Sequence, residues 1–262
     1  YRVRAEGCRC AHWSCFLKIR IGTPGTIETL SSEFLLEWAQ RADRYGFSTL
    51  THLDRLSYSN HDPFIALAMA AAVTTRIRLQ TSVLLAPARN AGIVAKQAAS
   101  LDALSGGRLT LGMAVGSRAD DYVLAPADIR TRGARFDQQL DTMTRLWAGE
   151  VVDGAGPLGP EPCQNGGPEI LIGGRALPAL RRVARWGTGY VTGAVFSADI
   201  ARATYSQVQE FWSDMGRTGT PRFVGTLACA IGQDAAADTA ASIDHYYQYR
   251  GVADRSSQGV SP

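Results

Sequence analysis

The stretch Asp102–Arg118, "DALSGGRLTLGMAVGSR", decides the fold. Its first residues finish a helix-spaced pattern, Gly106 and Gly107 stop it, and "RLTLGMAVG" follows as an apolar run of strand length. The same step recurs on both sides. Upstream, "FLKIRIG" (Phe16–Gly22) reads as a strand, and Ser31–Tyr45 reads as a helix with Phe34, Leu35, Trp38, Ala39, Ala42 and Tyr45 on one face, closed by Gly46. "FSTLTHL" (Phe47–Leu53) is a second strand, after which Asp62 and Pro63 supply the cap and first turn of an alanine-rich helix through Val73. "IRLQTSVLL" (Ile77–Leu85) is a third, followed by a helix over Asn90–Leu104 capped by Asn90. "RLTLGMAVG" is the fourth, and the long connection Ser117–Gly133 leads from it to a helix ending at Trp147 and Gly149.

Beyond a Gly/Pro-rich loop, Val151–Pro168, "EILIG" pairs with a helix over Leu177–Trp186, "GYVTGAVF" with Ala198–Met215, and "RFVGTLACAIG" with Ala235–Tyr249. Strands without polar alternation, each followed by a helix, predict a parallel sheet covered by helices. Seven such units in one file predict an α/β fold of the TIM (β/α)8-barrel type, with the eighth βα unit missing or truncated, since "GVADRSSQGVSP" (Gly251–Pro262) is polar and strand-free. Residues 16–262 are expected to form a single barrel domain, and residues 1–15 a disordered or non-native extension.

Composition narrows the function. A chain of 262 residues with 45% hydrophobic content can bury a real core, and its net charge of +3 comes without a run of like charges or a basic stripe, so no nucleic acid is expected. No run of apolar residues is long enough for a membrane span. The N-terminus lacks the apolar core of a signal peptide, so a cytoplasmic protein is expected. Cys8, Cys10, His12 and Cys15 crowd together but match no common zinc spacing, and Cys163 and Cys229 stand alone, so no metal is expected. The only lysines are Lys18 and Lys96, neither at a strand end, which excludes Schiff-base chemistry of the aldolase kind.

Barrel chemistry gathers at the carboxyl ends of the strands. There the chain offers His52, Asp54 and Arg55, then Thr81, Ser82 and Val83, then Val115, Gly116 and Arg118, and finally Gly173, Gly174 and Arg175. Two glycines directly before a helix let a phosphate approach backbone N–H groups, although the same pair also serves a ligand-free tight turn. His52 can be read as an acid/base partner of Asp54 or as a packed strand histidine, the commoner case for a lone histidine on a strand. Gly106 and Gly107 lie at the opposite, stability end and read as caps.

The blocks "AQRADRYGFSTLTHLDRL", "DPFIALAMAAAVTTRIRLQTSVLLAP", "AKQAASLDALSGGRLTLGMAVG", "RGARFDQQLDTMTRLWAGE" and "ILIGGRALPALRRVARWGTGYVTG" together resemble the luciferase-like family of flavin- and F420-dependent oxidoreductases, in order from about Lys18 to Gly251. The resemblance implies a TIM barrel holding FMN or coenzyme F420 at its mouth, often as a homodimer. Its paired catalytic residues fall on Asp54 and Arg55, where the second is usually histidine; a permanent cation there suits anchoring better than proton transfer. Its non-prolyl cis peptide, under the isoalloxazine ring, falls at Ser82–Val83. Its phosphate loop maps to Gly173, Gly174 and Arg175, helped by Val115, Gly116 and one of Arg132 or Arg135, while Thr188 stands where aspartate is common.

The implied activity is that of a monooxygenase using O2 and reduced FMN, the latter supplied by a flavin reductase or reduced in place by NAD(P)H, on a small organic substrate. Ser117–Gly133 is long enough for a mobile lid. Two alternatives stay open: hydride transfer with F420 on the same fold, and a non-catalytic flavin-binding or partner-subunit homologue.

Overall fold

The computed structural model describes residues 20–23, 31–125, 127–154, 156–194, 197–227 and 229–247. The cysteine and histidine cluster at positions 8–15, Lys18, most of the first expected strand and the residues after 247 lie outside them.

Among the described residues six strands, β1 (Thr49–His52), β2 (Arg78–Leu85), β3 (Leu109–Ala114), β4 (Glu169–Gly173), β5 (Gly189–Ala194) and β6 (Arg222–Thr226), pair in parallel and in sequence order. The first expected strand meets this sheet at its end: Gly22 bridges Thr49 in parallel, and Thr23 N–H donates to the Thr49 carbonyl at 2.8 Å. The helices are α1 (Ser32–Arg44), α2 (Pro63–Val73), α3 (Ala91–Ser105), α4 (Ala119–Val123), α5 (Arg132–Trp147), α6 (Leu177–Trp186), α7 (Ala198–Asp214) and α8 (Ala235–Tyr247). Short polar side chains start four of them, at Ser31, Asp62, Asn90 and Ser197, the Asp62 and Asn90 caps as the sequence predicts. Ser31 accepts from Phe34 N–H, Asp62 from Phe64 and Ile65 N–H, and Asn90 from Ile93 N–H. Gly106 takes the left-handed conformation that ends α3, with φ of 67°.

The core forms where strand residues of one parity meet the helices. Leu79, Leu109, Leu111, Met113, Ile170 and Ile172 pack against Val94, Ala98, Phe136, Leu140 and Leu180, all buried. The other parity faces a concave interior, because the sheet curls strongly. The carboxylate of Glu169, at the start of β4, takes hydrogen bonds from Thr110 of β3 (2.7 Å), Arg78 of β2 (3.2 Å) and Arg222 of β6 (2.6 Å). One carboxylate can reach partners on β2 and β6 only inside a half-barrel.

This cluster closes the amino-terminal end of the strands. Burial raises the Glu169 pKa, but the Thr110 hydroxyl and the Arg222 and Arg78 guanidinium groups outweigh it and hold the group below its ordinary value. A depressed carboxyl pKa stabilises the fold above the unfolded value, near 4.5, and that stabilisation is lost as pH falls through the folded value. Glu169→Gln is therefore expected to lower stability by about 2 kcal/mol at neutral pH, below the figure for a fully buried pair because the cluster is partly exposed. It should also flatten the acid limb of the Tm–pH curve. An unchanged acid limb would remove Glu169 from this role.

Candidate active site

At the mouth, the ends of β1, β2, β3 and β4 bring the expected residues into three groups with different chemistry. The first is centred on Asp54. Its carboxylate is buried and accepts from Leu85 N–H at 2.9 Å, Arg89 Nε at 3.1 Å and Arg89 Nη2 at 2.6 Å. Arg89 also pairs with Asp62 at 2.8 Å. Burial raises the Asp54 pKa while the Arg89 contacts oppose it, and the ionised form is the one that satisfies all of its N–H donors. The carbonyl of Arg89 in turn accepts from Gln139 Nε2 at 2.7 Å and Arg135 Nη2 at 3.3 Å.

His52 makes no hydrogen bond to these carboxylates, although the charges of Asp62 and Asp54 act on its ring. It shares strand parity with the helix-facing Leu50, is buried, and its Nε2 lies 3.1 Å from the His61 carbonyl. Burial lowers its pKa and favours the neutral ring. Of its two readings, the structure supports the packed strand histidine.

The second group is centred on Arg55. Its Nε lies 2.8 Å from Asp121 Oδ2, and Nη2 lies 3.0 Å from Asp120 Oδ2. Asp121 also accepts from Leu56 and Ser57 N–H at 2.9 and 3.1 Å. Tyr58 and Tyr246 flank the guanidinium, their ring centres 5.1 and 5.9 Å from its carbon. Arg118 pairs with the same Asp120 and donates to the Tyr246 carbonyl, bringing the end of α8 to the mouth. The connection Ser117–Gly133, expected as a lid, thus begins as the short helix α4, pinned to the β1 loop by Asp121.

The third group lies where β3 and β4 end. Gly116 has φ of 69°, and Tyr122 donates to the Val115 carbonyl at 2.6 Å. Burial pushes the Tyr122 hydroxyl up to about 12, against the pull of Arg132 and Arg135, so it remains a donor. Directly after β4, Gly174 has φ of 123°, and a Cβ there would lie 2.9 Å from the Cβ of Ala179 in α6. A Cβ on Gly173 would meet that of Ala114 at 3.4 Å, which places the β4 turn beside the end of β3. Arg182 of α6 donates to the Gly133 carbonyl at 3.0 Å and draws the first turn of α5 to the same place. Arg132 and Arg135 stand in that turn, each with a buried Nε that has no partner, and Arg175 is exposed next to the glycines. Among the described residues none of Arg132, Arg135 and Arg175 pairs with a carboxylate, whereas Arg182 pairs with Asp137 at 2.7 Å.

Between these groups the Ser82–Val83 peptide is cis, at the position the resemblance implies, and the β2–β3 register shifts there. The shift presses the Thr81 carbonyl onto β3, where a Cβ on residue 112 would lie 2.3 Å from it, so only glycine fits. Thr188 lies at the other end of the sheet, bonded to the Ile170 carbonyl, and has no part in the mouth.

Fold and mouth together define the class: a parallel (β/α) half-barrel whose carboxyl end offers unpaired cations beside a glycine turn. The chain belongs to the luciferase-like monooxygenase family, whose profile matches residues 12–259. A Mycobacterium tuberculosis protein of unassigned function is 31% identical over 182 residues, 58% of this chain and 62% of its own length. The F420-dependent glucose-6-phosphate dehydrogenase of Kribbella flavida is 32% identical over 155 residues, 55% of this chain and 46% of its own. The chain therefore spans about half to three fifths of the curated relatives it matches. Among solved structures, the monooxygenase RslO1 of Streptomyces bottropensis superposes with a TM-score of 0.69 and 25% identity, covering 87% of this chain and 74% of that one. The oxygenating constituent of 3,6-diketocamphane monooxygenase of Pseudomonas putida, in complex with FMN, shares the fold at 17% identity, with a TM-score of 0.67 and coverage of 90% and 74%. The family is thus one of flavin- or F420-dependent oxidoreductases. Among the described residues no helix is long and apolar enough to cross a membrane.

Proposed function

We propose that this chain is an FMN-dependent monooxygenase acting on a small, uncharged organic substrate. The observation that carries the reading is the pair Arg132 and Arg135. Two guanidinium groups with buried, unpartnered Nε atoms and no carboxylate beside them are arranged for an anion that the protein itself does not supply. The Gly173–Gly174 turn ahead of α6, where a side chain at Gly174 is excluded, fits a phosphate approaching backbone N–H groups. When bound, reduced FMN supplies the electrons that let O2 attack an organic substrate.

The chain's own residues divide the work. Arg132, Arg135, Arg175 and the glycine turn hold the phosphate, and Tyr122 steadies the Val115–Gly116 turn beside it. Asp54 acts through Arg89, whose carbonyl positions Arg135. Arg55 braces α4 across the mouth through Asp120 and Asp121, so water is kept from the reacting centre by an element anchored in the β1 loop. Asp120 and Asp121 balance its charge and Asp120 pairs with Arg118 as well, although the buried Nη1 of Arg55 has no partner. F420 is the second reading, favoured by the Kribbella flavida relative.

The test compares FMN with riboflavin, which lacks the phosphate. Arg132→Ala combined with Arg135→Ala is expected to weaken FMN binding by roughly 10–100-fold and to leave riboflavin binding unchanged, since a charge-assisted hydrogen bond contributes about 1.5–3 kcal/mol. Equal weakening of both ligands, or of neither, would reject the phosphate site.

A further inference from the structure

Several buried polar atoms have no partner, Arg55 Nη1 and Gln139 Oε1 near the mouth among them, but one residue below the mouth lacks partners at both ends of its side chain. Gln80, in the middle of β2, is 1% exposed, and neither its Nε2 nor its Oε1 has a hydrogen-bond partner. No other described side chain has both ends of an amide left in this way. Buried amides are almost always paired, so both a donor and an acceptor await something.

Strand parity locates it. Arg78, Gln80 and Ser82 share one face of β2, and Arg78 reaches Glu169 in the interior of the half-barrel. Gln80 therefore stands one layer above the Glu169 cluster and one layer, about 6.6 Å of strand, below Ser82 at the mouth. A molecule seated on Ser82–Val83 has this amide as the nearest polar side chain beneath it on β2. The occupant's chemistry follows from the amide itself. An anion would leave Oε1 unpaired and a cation Nε2, whereas an N–H group beside a carbonyl satisfies both. The imide edge of an isoalloxazine or deazaisoalloxazine ring has that pattern.

We propose that Gln80 pairs with the imide edge of the cofactor ring, a contact FMN and F420 offer alike. The inference rests on the reading of the mouth as a flavin or F420 site. It assigns ring recognition to Gln80 and phosphate recognition to the arginines.

The experiment titrates the wild-type chain and Gln80→Met with riboflavin and with 3-methylriboflavin, whose imide N–H is blocked, following flavin fluorescence and the visible absorption bands. The wild type should bind riboflavin about tenfold more tightly than the methylated ligand, the discrimination expected of one buried hydrogen bond. Gln80→Met should bind both equally, with the band shift on binding reduced. A variant that had merely loosened the fold would weaken both ligands in proportion and keep the tenfold ratio. A ratio kept in Gln80→Met, or a ratio near one in the wild type, overturns the proposal and leaves the amide to buried water. Failure of the wild type to bind any flavin or F420 overturns the cofactor reading and this inference with it.

Discussion

Gly174→Asp is expected to abolish FMN binding, with a loss of more than roughly 100-fold, while riboflavin binding and the overall fold persist. Gly174 has φ of 123°, a region L side chains rarely adopt, and a Cβ there would press to within 2.9 Å of Ala179 at the start of α6. The substitution therefore fills the turn and places a carboxylate where a phosphate is to sit, so sterics and charge act in one direction. Gly174→Ala separates the two, because it carries the crowding without the charge and should cost less FMN affinity. The turn is at the sheet end, away from the Leu109–Leu140 core, so circular dichroism should be unchanged. FMN affinity near that of the wild type in Gly174→Asp would reject this turn as the phosphate loop.

Asp54→Ala is expected to destabilise the chain by about 3 kcal/mol, or roughly 6–12 °C in Tm. The carboxylate is buried and answers a buried backbone N–H and both arms of Arg89. Its removal leaves Arg89 facing Asp62 alone and orphans the Leu85 amide. Asp54→Asn should cost less, since an amide oxygen can still accept from Leu85. FMN affinity should fall more than riboflavin affinity, because the Arg89 carbonyl that positions Arg135 moves with its side chain. A free proton-transfer group would behave otherwise: Tm within a degree of the wild type would show that Asp54 is not the keystone of this network.

The strands and helices were legible where the sequence carries a local period. "EILIG" and Leu177–Trp186 fall where expected because a short apolar run and a one-faced helix have no competing pattern. Helix α4 was missed. Five residues with no side-chain cap carry no periodic signal, and Asp121 holds them through Arg55, 66 positions away. The reading of His52 was available in part, since it shares parity with Leu50, a residue apolar enough to face the helices. That Arg132 and Arg135 stand together was open to recognition, because positions i and i+3 share a helix face. Arg89 gave no such sign. It follows a 3-10 turn and precedes a cap, and only the fold reveals that it joins Asp54, Asp62 and Arg135. An unpartnered amide such as that of Gln80 is defined by what is missing around it, which no linear pattern encodes.

The proposed function rests on a phosphate-bearing redox cofactor bound at the mouth. The most direct measurement is an anaerobic titration of the wild-type chain with reduced FMN, reduced F420 and reduced riboflavin, followed by rapid mixing with oxygenated buffer. Reduced FMN is expected to bind at least tenfold more tightly than reduced riboflavin, and the bound form to react with O2 at a rate different from that of free FMN. Preference for F420 without reaction with oxygen would replace the monooxygenase by a hydride-transfer enzyme on the same site. Binding of none of the three would contradict the account.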